Sequence, residues 1–117
     1  MITGIHSVLV WTEDLSRLVP FYRDVLGLKP SMEEEGFVVF QSDGAQLAIG
    51  RHSQVQGRAK DPNRIMIDLQ VDDCEAEHQR LKAAAVEFTR TPSQDGGIII
   101  ATFLDPDGNT IQLFQPA

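Results

Sequence analysis

Ile65-Met66-Ile67-Asp68-Leu69-Gln70-Val71-Asp72-Asp73-Cys74-Glu75 is the stretch that decides the fold. Ile65, Ile67, Leu69 and Val71 alternate with Met66, Asp68 and Gln70, the signature of a strand with one buried face. Asp72 with Glu75 three residues on forms a capping box, which predicts a helix over about Asp73–Ala85. A strand running directly into a helix is also how the chain begins. Residues 5–12 are rich in β-branched and aromatic types. Asp14 then offers an N-cap, and Leu15, Leu18, Val19, Tyr22, Val25 and Leu26 recur at helical spacing until Gly27 stops the run. Pro20 removes a backbone donor inside that helix and predicts a kink or a loose first turn before Phe21.

Outward from these two starts, the strands fall into place. Lys29–Glu33, Gly36–Gln41 and Gln46–Gly50 follow the first helix, with Ser42-Asp43-Gly44 as the hairpin turn between the last two. Glu87–Thr89, Ile98–Phe103 and Thr110–Phe114 follow the second, with Asp105-Pro106-Asp107-Gly108-Asn109 as a strong turn. The order strand–helix–three strands therefore occurs twice, about 60 residues apart. The expected organisation is one domain of two modules: 1–52, a polar aperiodic connector 53–63, and 64–117. Each module has a helix for only one sheet face, so the second module, a partner chain or a ligand must cover the other.

The 117 residues suffice for a hydrophobic core without staples, and 42% hydrophobic with 23% charged residues is the composition of a globular chain. Ten Lys and Arg against 17 Asp and Glu leave a net charge of −7, which argues against a nucleic-acid partner and favours a cationic ligand. One cysteine cannot form an internal disulfide. No apolar run approaches the ~20 residues of a membrane span. The start Met1-Ile2-Thr3-Gly4 lacks the features of a signal peptide. These features lead to the expectation of a cytoplasmic protein that does not associate with membranes.

Two local marks then carry a resemblance: Phe21-Tyr22-Arg23-Asp24-Val25-Leu26-Gly27-Leu28 and Phe103-Leu104-Asp105-Pro106-Asp107-Gly108-Asn109. In their respective halves of a doubled βαβββ chain, they resemble the vicinal-oxygen-chelate superfamily of glyoxalases, bleomycin-resistance proteins and extradiol dioxygenases. The resemblance implies an α+β fold in which two βαβββ modules form curved mixed sheets around a concave cavity. It also implies pairing of chains, so a homodimer is expected. In the metal enzymes of that family, a His on the first strand and a Glu on the last strand of each half hold a divalent ion. The matching positions here are Ser7, Ala48 (or Gln46, two residues away on the same face), Met66 and Gln112. None is an imidazole or a carboxylate, so no metal and no other cofactor are expected. His6 is one residue out of step with Ser7, and strand alternation sends it to the opposite face.

The cavity wall predicted by this alternation comprises Ser7, Leu9, Trp11, Gln46, Ala48, Met66, Asp68, Gln70, Gln112 and Phe114; the alternation leaves the place of Phe40 open. Amides, one carboxylate and apolar walls are the usual makeup of a small-molecule pocket. Asp68 is the candidate catalytic residue, as general base or as anchor for a ligand amine. Alternatively it pairs with Arg51 or Arg64, or faces solvent. Trp11 either stacks on a planar ligand or packs structurally. His6, His52 and His78 show no metal-motif spacing. Cys74 and His78 share a helix face and read as structure, and Glu33-Glu34-Glu35 reads as a solvated loop. Two functions follow. The first is a metal-free protein that binds a bulky, preferably cationic small molecule, as bleomycin-resistance proteins do. The second is a glyoxalase-like lyase or dioxygenase with a non-standard metal site, which would need His6 to point inward.

Overall fold

The computed structural model describes every residue except Asp43, so the turn expected at Ser42-Asp43-Gly44 lies partly outside the described residues. The chain divides into two compact units, Met1–Gly57 and Arg58–Ala117, and the division falls inside the polar stretch read as a connector. Each unit is a four-stranded mixed sheet with helix on one face.

The first unit runs β1 (Val8–Thr12), α1 (Leu15–Pro20), β2 (Pro30–Glu34), β3 (Phe37–Ser42) and β4 (Ala45–Arg51). Its sheet order is β1-β4-β3-β2, with β1 parallel to β4 and the other pairs antiparallel. β1 begins at Val8, later than the sequence predicts, and His6 and Ser7 precede it. The Asp14 carboxylate caps α1 by accepting from the Ser16 N–H at 3.0 Å. Pro20 then interrupts the helix. It lacks the N–H that would continue the α ladder, and the chain widens into a π-helical segment, Phe21–Val25. The Leu26 N–H reaches back to the Phe21 carbonyl at 2.9 Å, and Gly27, at φ +82°, ends the run. This geometry drives Leu18 and Tyr22 into full burial. The Tyr22 ring lies 6.5 Å from that of Phe40, which places Phe40 on the helix-covered face and outside the cavity wall.

The second unit runs β5 (Met66–Gln70), α2 (Cys74–Ala83), β6 (Phe88–Asp95), β7 (Ile98–Leu104) and β8 (Thr110–Gln115), in sheet order β5-β8-β7-β6. The cap of α2 is Asp73, not Asp72: its Oδ1 accepts from the Ala76 N–H at 3.0 Å. Cys74, His78 and Leu81 form the buried stripe of α2. His78 meets Phe88 edge-on at 4.5 Å, and Phe88 meets Phe103 at 5.1 Å. Ile111 and Leu113 of β8 complete this core. β6 is five residues longer than the polar run after Thr89 suggests. Pro92 is tolerated because β6 is an edge strand whose register shifts between Arg90 and Ser93.

The expected turn at residues 105–109 is built around a buried acid. Asp105 Oδ1 accepts from the N–H groups of Asp107 and Asn109, both at 2.9 Å, and its Oδ2 accepts from Asn109 Nδ2 at 2.9 Å. The same turn holds residues that the sequence left as connector. The Ala59 N–H donates to the Asp107 carbonyl at 2.7 Å, and Arg58 Nη1 donates to the Pro106 carbonyl at 3.2 Å. Thr110 donates from its N–H to the Pro62 carbonyl at 3.3 Å and from its hydroxyl to Asn63 Oδ1 at 2.8 Å. Among the described residues no helix is long and apolar enough to cross a membrane.

Candidate functional site

Strand register decides which side chains share the face that carries no helix. In the first unit, Leu9 pairs with Ala48 and Trp11 with Gly50, while Val39 and Phe37 continue those two rows on β3. Leu9, Trp11, Gln46 and Ala48 therefore share the open face, as the alternation predicts. Ser7 stands one residue before β1, half-buried, with its hydroxyl 3.4 Å from His6 Nδ1. His6 is exposed.

Trp11 is packed, not free. Its ring lies directly over Gly50, where an added Cβ would collide with both the Trp11 and Phe37 rings. Phe37 flanks it at 6.2 Å and His52 meets it edge-on at 5.4 Å, with 37% of the residue still exposed. The His52 ring is itself fixed, because its Nδ1 accepts from the Gln54 N–H at 3.0 Å.

In the second unit, a polar row crosses all four strands: Asp68 pairs with Gln112, Gln112 with Thr102, and Thr102 with Arg90. Asp68 is exposed, the solvent-facing alternative, and its Oδ1 accepts from Gln112 Nε2 at 3.0 Å; Arg64 meets Asp61 at 3.4 Å. Flanking rows place Met66 beside Thr110 and Gln70 beside Phe114. Met66, Gln112 and Thr110 line a hollow of about 550 Å³ together with Thr102 and Leu104. Pro62 and Asn63 close one side of it, and Thr89 and Arg90 another. Asp68, Gln70 and Phe114 share the face but do not line the hollow.

Asn63, Thr89, Arg90 and Thr102 escape sequence reasoning. The first belongs to an aperiodic segment that only hydrogen bonding to the turn brings into place. Thr89 ends the strand that the sequence predicts, and Arg90 lies just beyond it, where Pro92 and polar neighbours conceal the rest of β6. Thr102 alone had a signal, because it alternates in phase with Ile100 and Leu104.

The positions that hold a metal in the resembling enzymes do not suit one here. A hydroxyl, a methyl, a thioether and an amide occupy them, and that amide is tied to Asp68. These positions supply no imidazole, thiolate or carboxylate, the ligands that zinc and the other first-row transition metals prefer. Among the described residues no three His, Cys, Asp or Glu side chains come together where an ion could be held.

Cys74 and His78 belong to the core, consistent with the structural reading. Burial, followed by the charges of Glu75 and Asp73, pushes the Cys74 thiol up from its ordinary value. His78 Nδ1 is buried, and at 3.5 Å from Glu75 Oε1 it is too distant for a well-formed hydrogen bond. The Cys74 thiol should therefore react with a disulfide reagent at neutral pH far more slowly in the native protein than in denaturant. Equal rates in the two states, measured by thiolate release, would contradict this burial.

Comparison with known proteins agrees with this architecture. A protein of unknown function from Agrobacterium tumefaciens superposes with a TM-score of 0.83 at 23% identity, covering 100% of this chain and 97% of its own. The bleomycin resistance determinant encoded on transposon Tn5 gives a TM-score of 0.73 at 22% identity, with 97% and 98% covered. A lactoylglutathione lyase from Agrobacterium tumefaciens gives 0.76 at 20% identity, with 97% and 94% covered. At these identities the likeness is one of fold. No curated protein matches the sequence. The family model matches residues 4–113, nearly the whole chain, and in keeping with its two βαβββ units the chain belongs to the Glyoxalase/Bleomycin resistance protein/Dioxygenase superfamily.

Proposed function

We propose that this chain is a metal-free small-molecule-binding protein of the bleomycin-resistance type, which holds a bulky ligand on the open sheet faces. The observation that carries this reading is the donor set Ser7, Ala48, Met66 and Gln112, which offers no imidazole or carboxylate. Sequestration requires affinity alone, with no catalytic group. A hollow of about 550 Å³ with apolar, amide and hydroxyl walls provides a surface of the right size and chemistry. The net charge of −7 favours a ligand with a cationic body, and antibiotic resistance is the biological role that such sequestration implies. Asp68 serves this reading as the group that orients Gln112. The single free cysteine suits a reducing cytoplasm. We further propose a homodimer, because each sheet leaves one face without helix cover. Light scattering at micromolar concentration should return twice the 13.0 kDa chain mass, and a monodisperse monomer would refute the dimer.

Metal stoichiometry tests the central claim. Protein incubated separately with Ni, Zn, Fe(II) or Mn, then desalted, should retain only substoichiometric metal by elemental mass spectrometry. One tightly held ion per chain would overturn the reading. It would favour a lyase or dioxygenase with a non-standard site, and His6 would be the first residue to replace.

A further inference from the structure

The hollow in the second unit has an electrostatic character opposite to that of the chain. The molecule carries an excess of seven negative charges, yet the one charged side chain lining this hollow is that of Arg90. Arg17, Arg23, Arg64 and Arg80 each meet a carboxylate. Among the described residues Arg90, like Arg51 and Arg58, meets none, and of these three it is Arg90 that lines this hollow. Its Nε–H donates to Ser93 Oγ at 2.9 Å, which steadies the guanidinium and leaves the charge uncompensated.

The neutral groups around it are also donor-rich. Asn63 Oδ1 is occupied by the Thr110 hydroxyl, so Asn63 Nδ2 is left with its N–H groups unpaired among the described residues. Thr89 and Thr102 share one hydrogen bond of 2.7 Å, which uses one hydroxyl hydrogen and leaves the other free to donate. Gln112 Nε2 donates to Asp68, so the carboxylate that pairs with it across β5 and β8 already has an amide partner. Met66 and Leu104 supply apolar wall beside these donors.

We propose that this hollow receives the carboxylate of a small organic ligand whose apolar body lies against Met66 and Leu104, with Arg90 as counter-ion. The proposal rests on the binding role above and adds the group that is read: an oxyanion at this end, whatever charge the ligand carries elsewhere. A planar fork of guanidinium donors matches a carboxylate better than a point charge does. An exposed ion pair alone is worth little. The discrimination therefore depends on the adjoining Asn63 and Thr donors and on the apolar wall acting with Arg90.

Benzoate and its uncharged isostere benzamide are suitable probes, read by amide and arginine Nε–H chemical shifts in a nitrogen-15 spectrum of the full chain. Benzoate should shift the Arg90, Thr102 and Gln112 signals and bind about tenfold more tightly than benzamide. Arg90→Gln, a surface substitution, should remove that preference, and Arg90→Lys should restore part of it. Added salt should weaken benzoate and leave benzamide unchanged. Equal binding of the two probes would overturn the carboxylate proposal while leaving a ligand-binding hollow in place. A preference that persists in Arg90→Gln would overturn the assignment to Arg90. If neither probe moves these signals, the proposal fails, and the binding role loses this hollow as its site.

Discussion

Replacing Asp105 with Ala should destabilise the protein by about 2–6 kcal/mol, because two backbone N–H groups lose their acceptor and unpaired buried donors cost about 1–3 kcal/mol each. The residue is 2% exposed, and its carboxylate serves Asp107, Asn109 and the Asn109 side chain at once. The turn it holds immediately precedes β8, which contributes Gln112 and Thr110 to the hollow. Asp105→Asn separates shape from charge. Its Oδ1 still accepts the two backbone donors, but its amide nitrogen then opposes that of Asn109, so the loss should be smaller, about 1–3 kcal/mol. Chemical denaturation of both variants checks the ordering. An Ala variant as stable as the wild type would mean that the turn holds itself by backbone bonds alone.

The second large effect is expected at Gly50. Its side-chain position is occupied by the Trp11 and Phe37 rings, so a Cβ finds Phe37 Cδ2 at 2.8 Å and Trp11 Cε3 at 2.9 Å. Rings of that size cannot give way without leaving their rotamers. Gly50→Val should cost about 1–3 kcal/mol by overpacking and should expel Trp11 from its seat between Phe37 and His52. Trp11 is the single tryptophan, so its emission reports the displacement without ambiguity. A red shift with unchanged far-ultraviolet dichroism is the expected outcome. Gly50→Ala made in a Trp11→Ala background should cost less than in the wild type, since one of the two obstructing rings is gone. Unchanged emission in Gly50→Val would show that Trp11 does not lie over the glycine.

Gly50 also shows what sequence can and cannot reveal here. A glycine inside an otherwise apolar strand signals close approach of something, and nothing in the sequence says that Trp11 is what approaches. Two-residue alternation is local, so the parity of Leu9, Trp11, Met66, Asp68 and Gln112 was readable and agrees with the register. The order of elements was readable for the same reason. The π-helical segment after Pro20 was not, because a proline predicts that a ladder breaks without saying how the chain resumes. The length of β6 was hidden by Pro92 and the polar residues beside it, and Arg90 was hidden with it. Asp68 shows the same limit from another side. Alternation places Asp68 on the helix-free face but does not say whether that face is open; the structure leaves Asp68 exposed, and cross-strand pairing puts Gln112 beside it.

The attachment of Arg58–Asn63 to the Asp105–Thr110 turn has a mechanical consequence. This segment precedes β5, an edge strand bonded on one side only, yet it is tied to the entrance of β8 through Ala59, Pro62 and Asn63. Tension arriving along the backbone through Gly57 is therefore borne by that clasp before it reaches Met66. The edge strand is shielded from peeling, and with it the row that runs from Asp68 to Arg90.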